Sequence, residues 1–123
     1  LELFCVGETI AVPLFRRMLA GASEPVARVA LRRIVADEAR HRRFGWDMIE
    51  WFRFAGHSAL VDTVVARELP AMIGRVRGAY GQSTVAEITP DARAWGLIPG
   101  AEYGAVLSRV ERDWWGKRLG WRG

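Results

Sequence analysis

Apolar residues recur at alternating steps of three and four in two segments near the start of the chain, a spacing that places them on one face of a helix. The first stripe consists of Leu1, Phe4, Glu8, Ala11, Phe15 and Met18, and the second of Ala27, Leu31, Ile34, Glu38, His41, Gly45, Met48 and Phe52. Glu8, Glu38 and His41 are the charged or titratable exceptions. An unpaired buried carboxylate is too costly to keep, so these side chains need partners, and a metal ion is the most economical one.

The same pattern predicts two long helices joined by a short turn. The first ends at about Leu19, and the second runs from about Glu24 to Ala55, with Ser23 as its N-cap and Pro25 in its first turn. A connection this short makes the two helices antiparallel neighbours.

The remaining residues also follow helical patterns. A third helix is predicted over about 59–80, where Pro70 should kink or split it, and a last helix over about 101–119. No strand pattern appears, so the predicted fold class is all-α. A chain of 123 residues suits one domain, in which 1–56 form the helix pair and 57–123 form a helical extension packed on it.

Composition and charge exclude several classes of protein. The net charge is +4, but the arginines are spread among acidic residues instead of forming one block, so nucleic-acid binding is not predicted. No apolar run approaches the roughly 20 residues that cross a bilayer, so no membrane association is predicted. The single cysteine, Cys5, excludes an internal disulfide and is compatible with a cytoplasmic location.

Glu38 and His41 are spaced as Glu-x-x-His, so both project from the same helix face about one turn apart. Glu8 lies at a similar distance from the turn on the antiparallel partner helix, so the three side chains should meet at one height. Two facing carboxylates repel each other unless a cation lies between them. Oxygen donors with a single imidazole suit iron(II) or manganese better than zinc.

Glu8 followed by the run Asp37-Glu38-Ala39-Arg40-His41 resembles the Glu…Asp-Glu-x-x-His half-signature of the ferritin-like di-iron carboxylate superfamily. The resemblance implies a ferritin-like helical bundle in which Glu8 is a bridging or terminal carboxylate, Glu38 a bridging carboxylate and His41 a terminal nitrogen ligand. It also implies that Asp37 orients a metal-bound histidine of the opposite helix pair. Pairing of Asp37 with nearby arginines on the surface is an equal alternative.

A complete site of this kind uses four helices, and the chain supplies half of the ligands. We expect the other half from a preceding helix pair, which the missing initiator Met and the abrupt helical start favour, or from a second identical chain about a two-fold axis. The resemblance implies two iron ions, or iron and manganese, per complete four-helix site.

The implied function is that of a dioxygen-dependent oxidoreductase or oxygenase with an unidentified organic substrate. One alternative is a ferroxidase or iron-handling protein of the same superfamily. The other is a metal-free helical interaction module in which the three polar side chains form a hydrogen-bonded network.

Overall fold

The computed structural model describes residues 1–80 and 87–120, and every element within these ranges is helical, as the sequence predicts. A π-helical segment, Glu2–Gly7, leads into α1, and a second one, Arg53–His57, joins α2 to α3. The α-helices are α1 Glu8–Gly21, α2 Pro25–Phe52, α3 Ser58–Tyr80, α4 Pro90–Ala94, α5 Gly100–Val110 and α6 Gly116–Leu119, with a third π-helical segment, Glu111–Trp115, between α5 and α6.

Helices α1 and α2 form the predicted antiparallel pair and pack on each other extensively. The predicted N-cap is wrong, because α2 begins at Pro25 with Glu24 in the cap position and no side chain caps it. The backbone amides of Ser23 and Glu24 instead donate to the carbonyl of Ala94, at 2.9 and 3.0 Å. A carbonyl from a distant segment thus holds the two residues that precede α2 in place, while no side chain caps the helix itself.

One apolar core joins the helix pair to the C-terminal helices. It contains Cys5, Val6, Ile10, Trp46, Ile49, Val65, Leu69, Met72, Ile73, Val76, Leu107, Val110, Trp115 and Leu119. Residues 1–56 and 57–120 therefore bury their apolar side chains against each other.

The buried face of the first helical stretch differs from the predicted stripe. Cys5, Val6 and Ile10 are fully buried, whereas Leu1 and Phe4 are partly exposed. This stretch packs on α2 with one face and on α3 and α5 with the adjacent face. In addition, its π-helical turns bond residues five apart. Positions counted at α-helical spacing therefore no longer fall on the buried face in this segment.

The helical path breaks at Gly56, inside the segment that joins α2 to α3. Gly56 has φ +88°, and it directly follows Ala55, where the sequence predicts that the second helix ends. On the face that the spacing over 59–80 predicts to point inward, Val65, Leu69, Met72 and Val76 are buried and Val61 is partly buried. Pro70 does not split the helix, and it lies on the exposed side, where water can satisfy the carbonyl that proline leaves without a donor.

The spacing over 101–119 predicts an inward face that includes Trp114. In the structure Trp115 and Leu119 are buried instead, and Trp114 is partly exposed. The π-helical segment Glu111–Trp115 shifts the phase of the helix, as it does near the N-terminus. No described helix is both long enough and apolar enough to span a bilayer.

The π-helical segment Glu2–Gly7 lies directly against α2 at Gly45, one turn beyond His41. A Cβ atom added to Gly45 would lie 2.6 Å from Cβ of Phe4 and 2.8 and 2.9 Å from the carbonyl carbon and oxygen of Phe4. Only glycine permits the two backbones to come this close. The contact fixes the height of the segment that leads into Glu8.

Candidate metal centre

The structure brings Glu8, Glu38 and His41 together across the α1–α2 pair. Nδ1 of His41 lies 3.2 Å from Oε2 of Glu38 and 3.8 Å from Oε1 of Glu8. One donor atom from each residue lies within 4.8 Å of the others. Across residues 1–80 and 87–120, this is the one group of three or more histidine, cysteine or acidic side chains close enough to share an ion.

Exposure increases from one member of the cluster to the next. The Glu8 side chain is 13% exposed, Glu38 is 23% exposed and His41 is 51% exposed. The two carboxylates therefore lie inside the groove between the helices, and the imidazole lies at its open edge. Further donor groups could reach the cluster from that side.

Electrostatics at Glu8 indicate that the cluster lacks positive charge. Burial raises the pKa of Glu8 to about 7, a hydrogen bond with the Glu38 carboxyl and the negative charge of Glu38 add to this rise, and His41 opposes it. Within the described residues, no arginine or lysine pairs with either carboxylate. Two carboxyl groups in this position must share a proton or a cation.

The donor set fits a divalent transition metal. Two carboxylates and one imidazole give oxygen-rich ligation with a single nitrogen, which suits iron(II) or manganese(II). These ions prefer more than three ligands, so other protein groups or water must complete the coordination.

Side chains outside the cluster hold the two helices together beside it. The buried indole Nε1 of Trp46 donates to Oγ1 of Thr9 at 3.1 Å, and Thr9 follows Glu8 directly. The ring of Phe4 meets His41 edge-on, with ring centres 6.1 Å apart, and meets Phe44 at 5.3 Å. The sequence signal for Thr9 is a hydroxyl directly before an apolar run, because a polar side chain buried there needs a hydrogen-bond partner.

Asp37 lies on a more exposed side of α2 than its neighbour Glu38. Its two oxygens accept hydrogen bonds from Nε of Arg33, at 2.9 Å, and from Nη1 of Arg40, at 3.2 Å. These contacts are the surface pairing considered above. A role for Asp37 toward a histidine of an opposite helix pair stays a prediction.

The remaining candidate donors of the sequence lie apart from the cluster. Cys5 is fully buried, and burial raises the pKa of its thiol to about 11, so it remains protonated. His57 is exposed at the end of a π-helical segment, with its ring 6.3 Å from that of Phe52.

Comparisons of the chain with protein-family models, curated proteins and solved structures find no match. Any functional assignment therefore depends on the residues and geometry of the cluster itself.

We expect the metal-free protein to lose stability as the pH rises from 5 to 8. The pKa of Glu8 in the folded state, about 7, lies above the ordinary value of 4.5, so this carboxyl binds its proton more tightly when folded. The contribution is fully present below pH 4.5 and is lost as the pH rises through 7. Solvent contact limits its size to about 2 kcal/mol.

Urea denaturation at pH 5 and pH 8, in the presence of a chelator, measures this effect. Glu8→Gln should flatten the pH dependence by about the same 2 kcal/mol, whereas Glu50→Gln, an exposed control on α2, should leave it unchanged. An unaltered slope in Glu8→Gln would contradict the assignment. Because metal ions compete with protons for carboxylates, added metal should reverse the sign of the pH dependence.

Proposed function

We propose that Glu8, Glu38 and His41 are half of the ligand set of a ferritin-like di-metal carboxylate centre. The chain would then supply half of the metal site of a dioxygen-dependent oxidoreductase or oxygenase with an organic substrate. The observation that supports this proposal is the meeting of two carboxylates and one imidazole within 4.8 Å on two antiparallel helices. Neither carboxylate has an arginine or lysine partner among the described residues, so the cluster is suited to a cation.

Each residue has a specific part in this proposal. Glu8 and Glu38 provide carboxylate oxygens from opposite helices, and His41 provides an imidazole nitrogen. Phe4 packs edge-on against the imidazole, and Phe44 packs against Phe4, so the aromatic rings help to hold His41 in place. A pair of bound iron ions supplies the redox chemistry with dioxygen that amino-acid side chains lack.

The proposal requires a second set of donors, either from another helix pair of a longer polypeptide or from a second copy of this chain. Phe44, one turn along α2 from His41, suits such a cover, since this aromatic side chain is 56% exposed. A two-fold axis beside His41 would bring a second Glu8, Glu38 and His41 to the first set.

Anaerobic titration of the metal-free protein with ferrous iron or manganese(II) tests the proposal. We expect saturable binding that approaches two ions per completed site, which is about one ion per chain for a symmetric pair. Elemental analysis after desalting gives the stoichiometry, and light scattering gives the number of chains. A protein that binds neither ion, and whose stability neither ion changes, would support the metal-free interaction module.

Dioxygen consumption separates the two metal-dependent functions. A ferroxidase consumes dioxygen with ferrous iron alone, in proportion to the iron added. An oxygenase continues to consume dioxygen only when an organic substrate and a reductant are supplied.

A further inference from the structure

Arginines without a carboxylate partner gather at one place in the structure. Most arginines of the described residues pair with an acidic side chain, and Arg28 instead donates to backbone carbonyls. Within residues 1–80 and 87–120, those without an acidic partner are Arg16, Arg32, Arg42, Arg109 and Arg112. Three of these five line one cavity.

This arginine cavity, of about 220 Å³, lies between α1, α2 and the C-terminal helix. Arg16 of α1, Arg42 of α2 and Arg109 of α5 line it, and Trp114 and buried apolar side chains form part of its wall. Three separate elements thus direct like charges to one concave surface.

Arg42 is the most buried of the three cations. Its guanidinium carbon lies 4.6 Å from the centre of the Trp114 ring, so the indole face holds it in place. The guanidinium carbon of Arg118 lies 5.1 Å from the centre of the same ring, so Arg42 has a second cation close by that repels it. An arginine stays charged at any working pH, so the repulsion persists unless an anion relieves it.

Asp113 is the one acidic side chain on the cavity wall. Its Oδ1 lies 3.7 Å from Nζ of Lys117, one turn along the same helix. Asp113 makes no ion pair with the three arginines, and among the described residues no other carboxylate occupies their donors.

We propose that the arginine cavity binds a phosphoryl group, as inorganic phosphate or as part of a small phosphate ester, through Arg16, Arg42 and Arg109. Guanidinium groups match phosphate oxygens through paired hydrogen bonds, and a phosphoryl group carries about −1.5 to −2 charges where a carboxylate carries one. Three cations around a cavity of this size favour the more highly charged anion. This site is distinct from the metal cluster and does not depend on the proposed metal function.

Calorimetric titration of the metal-free protein with inorganic phosphate, at constant ionic strength in chloride, tests the proposal. We expect one saturable site, with an affinity that falls about tenfold or more in Arg109→Gln and in Arg42→Gln, because each variant removes a charge-assisted hydrogen-bond donor. Arg112→Gln, an unpaired arginine outside the cavity, and Arg43→Gln, which pairs with Asp47, should bind phosphate within about twofold of the unaltered protein.

Substitutions at exposed positions of the cavity keep the test independent of folding. Arg16 and Arg109 are exposed, so their replacement leaves the packing of Arg42 on Trp114 intact. Asp113→Asn should act in the opposite direction and tighten phosphate binding about two- to fivefold, because it removes the one negative charge on the wall.

Tighter binding of phenyl phosphate than of inorganic phosphate would identify an ester as the ligand, and the reverse order would identify the free ion. Absence of a saturable site, or an equal loss of affinity in Arg112→Gln, would overturn the proposal.

Discussion

Replacement of His41 by alanine is expected to lower the affinity of the protein for ferrous iron by about 100-fold or more. Loss of an outer-shell partner alone typically costs 10- to 100-fold in metal affinity, and His41 supplies the one nitrogen donor of the cluster. Anaerobic calorimetry with ferrous iron, and with manganese(II) as a second ion, measures the change. His57→Ala, which removes the other histidine of the chain, is the matched control and should bind both ions as the unaltered protein does.

Glu38→Gln should lower metal affinity to a similar extent while, at pH 8, where Glu8 is ionised, it stabilises the metal-free protein by about 1 kcal/mol. The negative charge of Glu38 raises the pKa of Glu8, which means that the two carboxylates repel each other. Glu38→Gln removes this repulsion, as a bound metal ion would. A structural hydrogen-bonded network would lose stability on the same substitution. The sign of the change in the free energy of unfolding therefore distinguishes a metal site from a metal-free network, and Asp37→Asn controls for loss of a nearby surface charge.

The second large effect is expected at Gly45. Gly45→Ala should lower the free energy of unfolding by about 2–4 kcal/mol, because the added Cβ would lie under 3 Å from both the side chain and the backbone of Phe4. Phe4 cannot move away without displacing the π-helical segment that precedes Glu8, so metal affinity should fall as well.

Gly74→Ala in α3 is the matched control for this substitution. A Cβ at Gly74 would meet nothing within 4 Å, so alanine should stabilise this helix by about 0.5–1 kcal/mol. Urea denaturation of the two variants gives both values. A Gly45→Ala protein as stable as the unaltered chain would mean that the helices of the pair are not as close as the structure places them.

The sequence predicts the helix pair and the meeting of the three polar side chains for a physical reason. A turn of few residues fixes the antiparallel direction, and helical rise then determines which residues lie at the same height. Glu8, Glu38 and His41 therefore come together without knowledge of the remaining fold. Their metal ions, their chemistry and the second half of the ligand set do not follow from that spacing.

Other features could not be read from local patterns. The π-helical segment Glu2–Gly7 adds a residue to a helical turn, and nothing in the apolar spacing marks it. The cap predicted at Ser23 is absent, and the backbone amide of Ser23 donates to the carbonyl of Ala94, about 70 positions along the chain. The arginine cavity likewise forms from Arg16, Arg42 and Arg109, whose separation in sequence gives no sign of a shared surface.

The hydrogen bond between Trp46 and Thr9 has a consequence for how an ion would be selected. It ties α1 to α2 beside Glu8, inside the core, so the backbones that carry the carboxylates are set in place when the chain folds. The entropic cost of assembling the donors is then met during folding and not upon ion capture. An arriving ion encounters a preorganised pair of helices, and its size must suit a spacing that the protein backbone does not readily adjust.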